Sequence, residues 1–432
     1  MFNMKVRCAR SLQGTVRVPG DKSISHRAAI LAAMAEGQTL ISNFSEAADC
    51  QSTLSCLQAL GVRISRSENI VTITGVGKRG FQKPDGPLDC GNSGTTARLL
   101  TGVLAGQSFD SVITGDASLS ARPMGRIIKP LRKMGAQVEA DGGRLPIRIS
   151  GDKSLASIEY RPDIASAQVK SCVLLAGLLA DSRTALIEDT ATRDHTERML
   201  EWLGVEVETA TNYGSQRISV SGDSVLVARD INIPGDISSA AYFLAAGVCL
   251  PDSDVTIPNV GLNATRSAIL EFLRMIGGSI DVLDQMDISN EPRGTLRVLG
   301  GVKPSGETVV RGPAVPQVID EIPILAVIGT QLTAGLEVRD AAELRHKETD
   351  RIAAVVENLR RMNGIVDEFP DGFRVERSDL KGASLDPFGD HRIAMAFAIA
   401  GLLAEAETEI ADPGCVDISF PGFFDTLADV VR

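Results

Sequence analysis

The chain has 432 residues, carries a formal net charge of −11 and is 44% hydrophobic. That length suits two or three domains with sizeable cores, and the acidity excludes general attraction to nucleic acid or to an anionic membrane. Seven scattered cysteines with no CxxC pair point to neither a disulfide framework nor a zinc site, and fit a reducing compartment. The start of the chain shows no signal-peptide pattern. The longest apolar runs, such as 173–180, are too short to span a bilayer. The expectation is a soluble, cytoplasmic protein.

In chain order, Val16 and Val18 read as the end of a strand and Pro19-Gly20 as a turn. Asp21 or Ser23 can cap the helix that follows, whose apolar face is Ile24, Ala28, Leu31 and Ala35. Lys22 and Arg27 sit at its start, where the macrodipole already favours an anion. The stretch thus predicts a phosphate or carboxylate site, with an ordinary capped helix and solvated charges as the competing reading. Ile233-Pro234-Gly235-Asp236-Ile237-Ser238 repeats the motif about half a chain later, again before an alanine-rich helix.

A finer repeat runs through the whole chain. An amphipathic helix ends in glycine or Asn-Gly at 54–61, 128–135, 199–204, 270–277 and 359–364, and 423–431 completes a sixth copy. Each glycine can take the left-handed conformation that closes a helix. An earlier helix in each copy has a polar start, near Asp21, Asn92, Ser166, Asp236, Asp320 and Asp390. The pattern predicts an α/β protein of two domains, each with three units of one plan. The boundary falls near Asp230, and the strand before Pro19 joins the second half. The Gly/Pro/Lys-rich stretch 75–87 reads as an exposed loop.

Several helix starts carry cationic or amide groups: Lys22 and Arg27, Asn92 and Arg98, Gln168 and Lys170, His391 and Arg392. Packed together, they would form a strongly anion-attracting site in an acidic protein. Arg122 adds a planar fork suited to carboxylate or phosphate. Lys347 and Arg351 are i,i+4 on what reads as one helix, a repulsive spacing unless an anion lies between them. Glu343 is an alternative partner for Lys347, and Glu348 is placed for acid–base work. Asp320-Glu321 opens an apolar helix either as a cap or as a proton acceptor facing cations. Arg193-Asp194-His195-Thr196-Glu197 reads as a cap with an Arg193–Glu197 pair. The histidines lack metal-ligand spacing, and no GxGxxG or GxxxxGK[ST] follows a strand. No metal or redox cofactor is expected.

These motifs, taken in register, resemble those of the 5-enolpyruvylshikimate-3-phosphate synthases, within the enolpyruvyl transferases, across essentially the whole chain. The matching stretches are 19–27, Gly91-Asn92-Ser93-Gly94-Thr95, Arg122-Pro123, 166–170, 193–197, 347–351 and Asp390-His391-Arg392. The resemblance implies a two-domain inside-out α/β barrel, each domain built of three βαβαββ units. Domain one would be 1–19 with 231–432, domain two 20–230, and the active site would lie in the cleft between them. It implies transfer of the carboxyvinyl group of phosphoenolpyruvate to the 5-hydroxyl of shikimate 3-phosphate by a monomer without cofactor. Lys22, Ser23, Arg27, Ser166, Gln168, Arg193, Asp320 and Lys347 would contact shikimate 3-phosphate. Lys22, Gly94, Arg122, Gln168, Arg351 and Arg392 would contact phosphoenolpyruvate. Asp320 would act as base, with Lys22 and Glu348 handling protons at the methylene carbon.

Two departures stand out. Some family members place a lysine just before a C-terminal Thr-Phe-Pro, where this chain has Ile418-Ser419-Phe420-Pro421. Gly94 keeps the small residue of glyphosate-sensitive members, while the 166–168 and 193–197 motifs look like the subgroup containing tolerant ones; sensitivity stays open. Two rivals remain: an enolpyruvyl transferase acting on a UDP-sugar, and a non-catalytic anion-binding protein on the same scaffold. The former usually has a cysteine before Arg-Pro, where Ser118 and Ser120 stand here.

Overall fold

A computed structural model describes residues 3–151, 154–301 and 308–432. The polar helix starts do what short polar side chains do at such positions. Asp21 accepts from the Ile24 amide, Ser93 from Thr96, Ser166 from Val169, Asp236 from Ser238 and Asp390 from Arg392. The helix Ile322–Gly329 is the exception. Glu321 stands at its cap position without a side-chain cap bond, because both acidic groups there face arginines instead.

Contacts along the chain divide it into two units. One comprises Met1–Pro19, Pro234–Asp287 and Pro292–Arg432, here the terminal unit; the other, the middle unit, is Gly20–Ile233 with Ile288–Glu291. The junction falls after Ile233, three residues past Asp230. Its cause is a strand pairing: Ile231–Asn232 runs parallel to Ile41 and Ser42 in the strand Glu36–Ser42.

Among the described residues the strands form six sheets. The plan is clearest at Leu88–Asp89, which pairs parallel with Ser111–Thr114 after an intervening helix. Ser111–Thr114 is antiparallel to Ile147–Ser150, which closes a hairpin with Gln137–Ala140. The strands Glu159–Tyr160, Arg183–Glu188, Ser215–Ser221 and Glu208–Asn212 repeat that order. In the terminal unit the first strand of one sheet is Gln13–Thr15, parallel to Asp254–Gly261. That strand ends earlier than Val16 and Val18 suggested, although the Val16 amide still bonds the Thr256 carbonyl at 2.9 Å. The last sheet is completed by the chain's own beginning, since Met4–Val6 pairs antiparallel with Thr408–Ile410.

The first helix of each repeat lies inside its unit. In Lys22–Met34 every residue from Ile24 onward is buried, so the apolar face read from the spacing is one side of a helix enclosed all round. Ile237–Cys249, Ile322–Gly329 and His391–Leu403 are enclosed in the terminal unit in the same way. Gly94–Leu104 and Ala167–Gly177 approach closely because Gly102 has no side chain; a Cβ there would stand 2.4 Å from the Cys172 carbonyl oxygen.

The second helices close as the repeat predicts, with positive φ at Gly61 (84°), Gly135 (88°), Gly204 (87°) and Gly277 (97°). In the fifth copy Asn363 takes that conformation (φ 64°) instead of Gly364. The loop after Ile70–Val76 is mostly exposed over 79–87, as expected, but its first two cations tie it down. Lys78 Nζ donates to the Leu178 and Gly222 carbonyls, and Arg79 to those of Leu179 and Gly106. The Leu178, Leu179 and Gly106 carbonyls lie just past the C-terminal ends of buried helices, where negative partial charge accumulates, whereas Gly222 follows the strand Ser215–Ser221.

Candidate active site

In the middle unit the candidate side chains gather at the N-terminal ends of the three buried helices. Lys22 Nζ pairs with Asp49 Oδ2 at 2.9 Å, with both side chains largely covered. Arg27 is buried, and its guanidinium donates to Thr196 Oγ1 (2.8 Å), Ser171 Oγ (2.8 Å) and the Ser23 carbonyl (2.9 Å). None of those acceptors is charged. Burial, helped by the Arg193 charge nearby, pulls the Arg27 pKa down to about 10. An anion at this point would relieve that cost, which is what a cationic helix start can offer.

Arg98 and Arg122 stand at the start of Gly94–Leu104. Arg98 donates to Gln168 Oε1 at 2.5 Å, and Gln168 Nε2 donates to Thr95 Oγ1 at 2.9 Å. Arg122 donates to Asn92 Oδ1 (2.6 Å) and Ser118 Oγ (3.2 Å). Gly94 lies between the two guanidiniums: a Cβ there would be 3.0 Å from Arg98 Nη1 and 3.5 Å from Arg122 Nη1. Ser166 spends its hydroxyl on capping its own helix.

Two expectations are corrected here. Lys170 is no anion-facing cation: it is 1% exposed and locked between Glu188 (2.9 Å) and Glu197 (2.7 Å). Burial opposes its charge, but the two carboxylates outweigh it and raise its pKa. Glu197 is therefore the partner of Lys170 rather than of Arg193. His195 is also internal, with Nδ1 2.7 Å from Glu291 Oε1. His26 bonds Thr53 Oγ1 at 2.7 Å, and burial, then Lys22 and Arg27, hold its pKa well below the usual range.

In the terminal unit Asp320 is the centre. Its carboxylate lies 3.6 Å from Arg351 Nη1, 3.6 Å from Arg392 Nη2 and 3.9 Å from Arg266 Nη2. Arg351 is held by Asp390 (2.7 Å) and Glu348 (2.5 Å), and Arg392 donates to the Asp320 carbonyl at 3.2 Å. For both arginines burial opposes the charge, and the surrounding carboxylates raise the pKa in spite of it. Lys347 and Arg351 are not on one helix. Ala342–His346 is a short 3-10 turn, Lys347 is extended, and Asp350 caps a new helix, Arg351–Arg361. Glu343 comes within 3.9 Å of Lys347. Burial lowers the Lys347 pKa, against the pull of Asp320 and Glu343.

Sequence reading passed over Arg266 and gave Glu321 no separate role. Arg266 belongs to no repeated helix start; Asn263-Ala264-Thr265-Arg266 is a turn in which Asn263 Oδ1 accepts from the Thr265 amide. The segment before Pro421 brings no cation to replace the missing lysine. Phe420 instead packs on Phe243 and Phe423, with ring centroids 6.2 and 5.5 Å apart.

The fold with these helix-start clusters defines an enolpyruvyl transferase scaffold. A solved enolpyruvyl transferase from Streptomyces tendae matches 99% of this chain and 97% of its own with a TM-score of 0.80, at 16% identity, a likeness of fold alone. An EPSP synthase structure from Acinetobacter baumannii matches with a TM-score of 0.86 and 39% identity, over 100% of this chain and 98% of that one. Two relatives named 3-phosphoshikimate 1-carboxyvinyltransferase are close in sequence. That from Citrifermentans bemidjiense is 46% identical over 100% of both chains, and that from Salinibacter ruber 47% over 98% of both. The model of the family described as EPSP synthase (3-phosphoshikimate 1-carboxyvinyltransferase) matches residues 6–427. The chain belongs to the EPSP synthase family.

Proposed function

We propose that this protein transfers the carboxyvinyl group of phosphoenolpyruvate to the 5-hydroxyl of shikimate 3-phosphate, releasing phosphate. The observation that carries this is full-length family membership combined with the Asp320 cluster, a carboxylate ringed by three guanidiniums. Both substrates carry phosphate and carboxylate groups, so bringing them together calls for dense cationic and helix-start sites.

In this reading Asp320 takes the 5-hydroxyl proton while that oxygen bonds to C2 of phosphoenolpyruvate. A proton delivered to C3 by Lys22 or Glu348 makes the methyl group of a tetrahedral intermediate. The C2–O bond to phosphate then breaks, C3 returns a proton to the now basic Lys22 or Glu348, and the vinyl group is restored. The steps are an addition, an elimination and proton transfers, so positioning and acid–base groups of the chain suffice. Lys22, Ser23, Arg27, Ser166, Gln168, Arg193, Asp320 and Lys347 are assigned to shikimate 3-phosphate. Lys22, Gly94, Arg122, Gln168, Arg351 and Arg392 are assigned to phosphoenolpyruvate. The burial of Arg27 among neutral hydrogen-bond acceptors and the space at Gly94 beside Arg98 and Arg122 support those assignments. Ser118, where the UDP-sugar enzymes usually carry cysteine nearby, accepts from Arg122 and favours the shikimate substrate. The proposal includes a cytoplasmic monomer; the free cysteines, six of them at least partly covered, fit a reducing compartment.

Phosphate release tests it. Release should need shikimate 3-phosphate together with phosphoenolpyruvate, and a UDP-sugar should not substitute; no release with that pair rejects the proposal. Asp320→Ala should reduce kcat far more than shikimate 3-phosphate affinity, by roughly 100-fold or more for a lost general base. A pure binding defect would remove Asp320 as the base.

A further inference from the structure

Arg266 is a third cation beside Asp320 and, unlike the other two, it is assigned to neither substrate. Arg351 and Arg392 are the groups assigned to phosphoenolpyruvate, so their charge is drawn on whenever that anion binds. Arg266 is 3% exposed and closed in by partners of its own. Its Nη1 meets Glu321 Oε2 at 2.9 Å, its Nη2 contacts Ser238 Oγ, and that hydroxyl in turn contacts Glu321 Oε1. Glu321 is 2% exposed and adjoins Asp320 in the chain. The Ser238 hydroxyl comes from the first turn of Ile237–Cys249. The guanidinium is therefore anchored on one side by a carboxylate and a hydroxyl, with Nη2 left 3.9 Å from the Asp320 carboxylate. Burial opposes the Arg266 charge, but Glu321 and Asp320 outweigh it and push the pKa above the ordinary arginine range. It stays a fixed cation throughout.

We propose that Arg266, clamped by Glu321 and Ser238, is a positioning residue for the reaction: it orients Asp320 and keeps it ionised while Arg351 and Arg392 engage substrate anions. The inference rests on the reading of Asp320 as the base. A carboxylate that must accept a proton in a site about to receive an anionic reaction partner needs a counter-charge that substrate does not compete for. Arg266 is that counter-charge. Asp320 is also faced by Lys347 and, through the arginines it shares, by Asp236, Glu348, Asp390 and Tyr242.

The test is the pH profile of kcat for the full chain with saturating substrates. Asp320 works as the ionised base, so kcat falls as pH drops through its pKa. Removing a neighbouring cation raises that pKa and moves the acid limb to higher pH. Arg266→Met should move it up by about one unit or more and lower kcat roughly 10-fold, with both KM values changed less than about 3-fold. Arg266→Lys, which keeps the charge, should return the limb toward its original position. Ser238→Ala removes one side of the clamp with little volume change and should move the limb in the same direction by less. That variant keeps the question answerable if Arg266→Met does not fold. An unmoved limb in Ser238→Ala and in every folded Arg266 variant, with only the melting temperature lowered, assigns Arg266 a purely structural role and overturns the inference. A rise in a substrate KM at constant kcat overturns it as well. Asp320→Asn is run alongside: full kcat in that variant rejects the base assignment and this inference with it. Lost kcat there, with no limb shift in the Arg266 series, rejects this inference alone.

Discussion

Lys22 Nζ and Asp49 Oδ2 stand 2.9 Å apart, so the lysine of the helix-start motif is aimed by a carboxylate from the neighbouring helix, Ala48–Ala59. The pair fixes where the ammonium points and leaves the Asp21 cap to hold the helix. Lys22→Ala should therefore lose kcat by roughly 100-fold or more, as for removal of a charge-stabilising donor, while the protein stays folded. Steady-state kinetics with circular dichroism check both halves, and near-normal kcat would remove Lys22 from the catalytic assignment.

The space at Gly94 leads to a second prediction. A methyl group there would sit 3.0 Å from Arg98 Nη1, closer than ordinary contact, and would intrude between Arg98 and Arg122. Gly94→Ala should raise the KM for phosphoenolpyruvate about 10-fold, the cost of modest overpacking, with a smaller change in the KM for shikimate 3-phosphate. Equal changes in both constants would argue against a phosphoenolpyruvate site at this helix start.

Lys170 should matter for stability rather than turnover. It is 1% exposed between Glu188 and Glu197. Lys170→Met strands two carboxylates in the interior and should cost about 3–5 kcal/mol of unfolding free energy. Adding Glu197→Gln should recover part of that loss. Urea unfolding of the single and double variants measures it, and no recovery would contradict the ion-pair account.

His26 carries a pH dependence whose sign follows from burial. Its folded pKa lies well below 6.5 because of burial first, then Lys22 and Arg27. Below about pH 6.5 the unfolded chain binds a proton that the folded one does not, so stability is present above that pH and lost as pH falls toward the folded pKa. The slope from one such group approaches about 1.4 kcal/mol per pH unit. His26→Asn, which keeps a polar group toward Thr53, should flatten the unfolding midpoint between about pH 5 and 6.5. An unchanged slope would place the titration elsewhere.

Much of the fold was legible in residues whose effect is local. A short polar side chain before an apolar helix caps it by contacting amides two or three residues away, and a glycine after a helix closes it through its own φ. Asp21, Ser93, Ser166, Asp236 and Asp390 were readable for that reason. Asp320-Glu321 was readable as a cap or as a proton acceptor facing cations, but which cations was not, because its partners are arginines 31 to 72 positions away or, for Arg266, in an unrepeated turn. Lys170 shows the opposite failure. Its place in a helix-start motif suggests an anion site, and nothing local announces that Glu188 and Glu197 have already claimed it.

By itself, then, the sequence determined the repeated α/β plan, the helix starts and the cationic inventory, since each depends on spacing and backbone chemistry within a turn or two. Only the tertiary structure decided which charges are paired with carboxylates inside the protein and which are not. Arg27 has only neutral hydrogen-bond acceptors; Lys170 is neutralised; and Arg266 is committed to Glu321 and Asp320. The physical reason is that a buried charge takes its value from whatever carboxylate the fold brings within a few ångströms, and sequence distance does not set that.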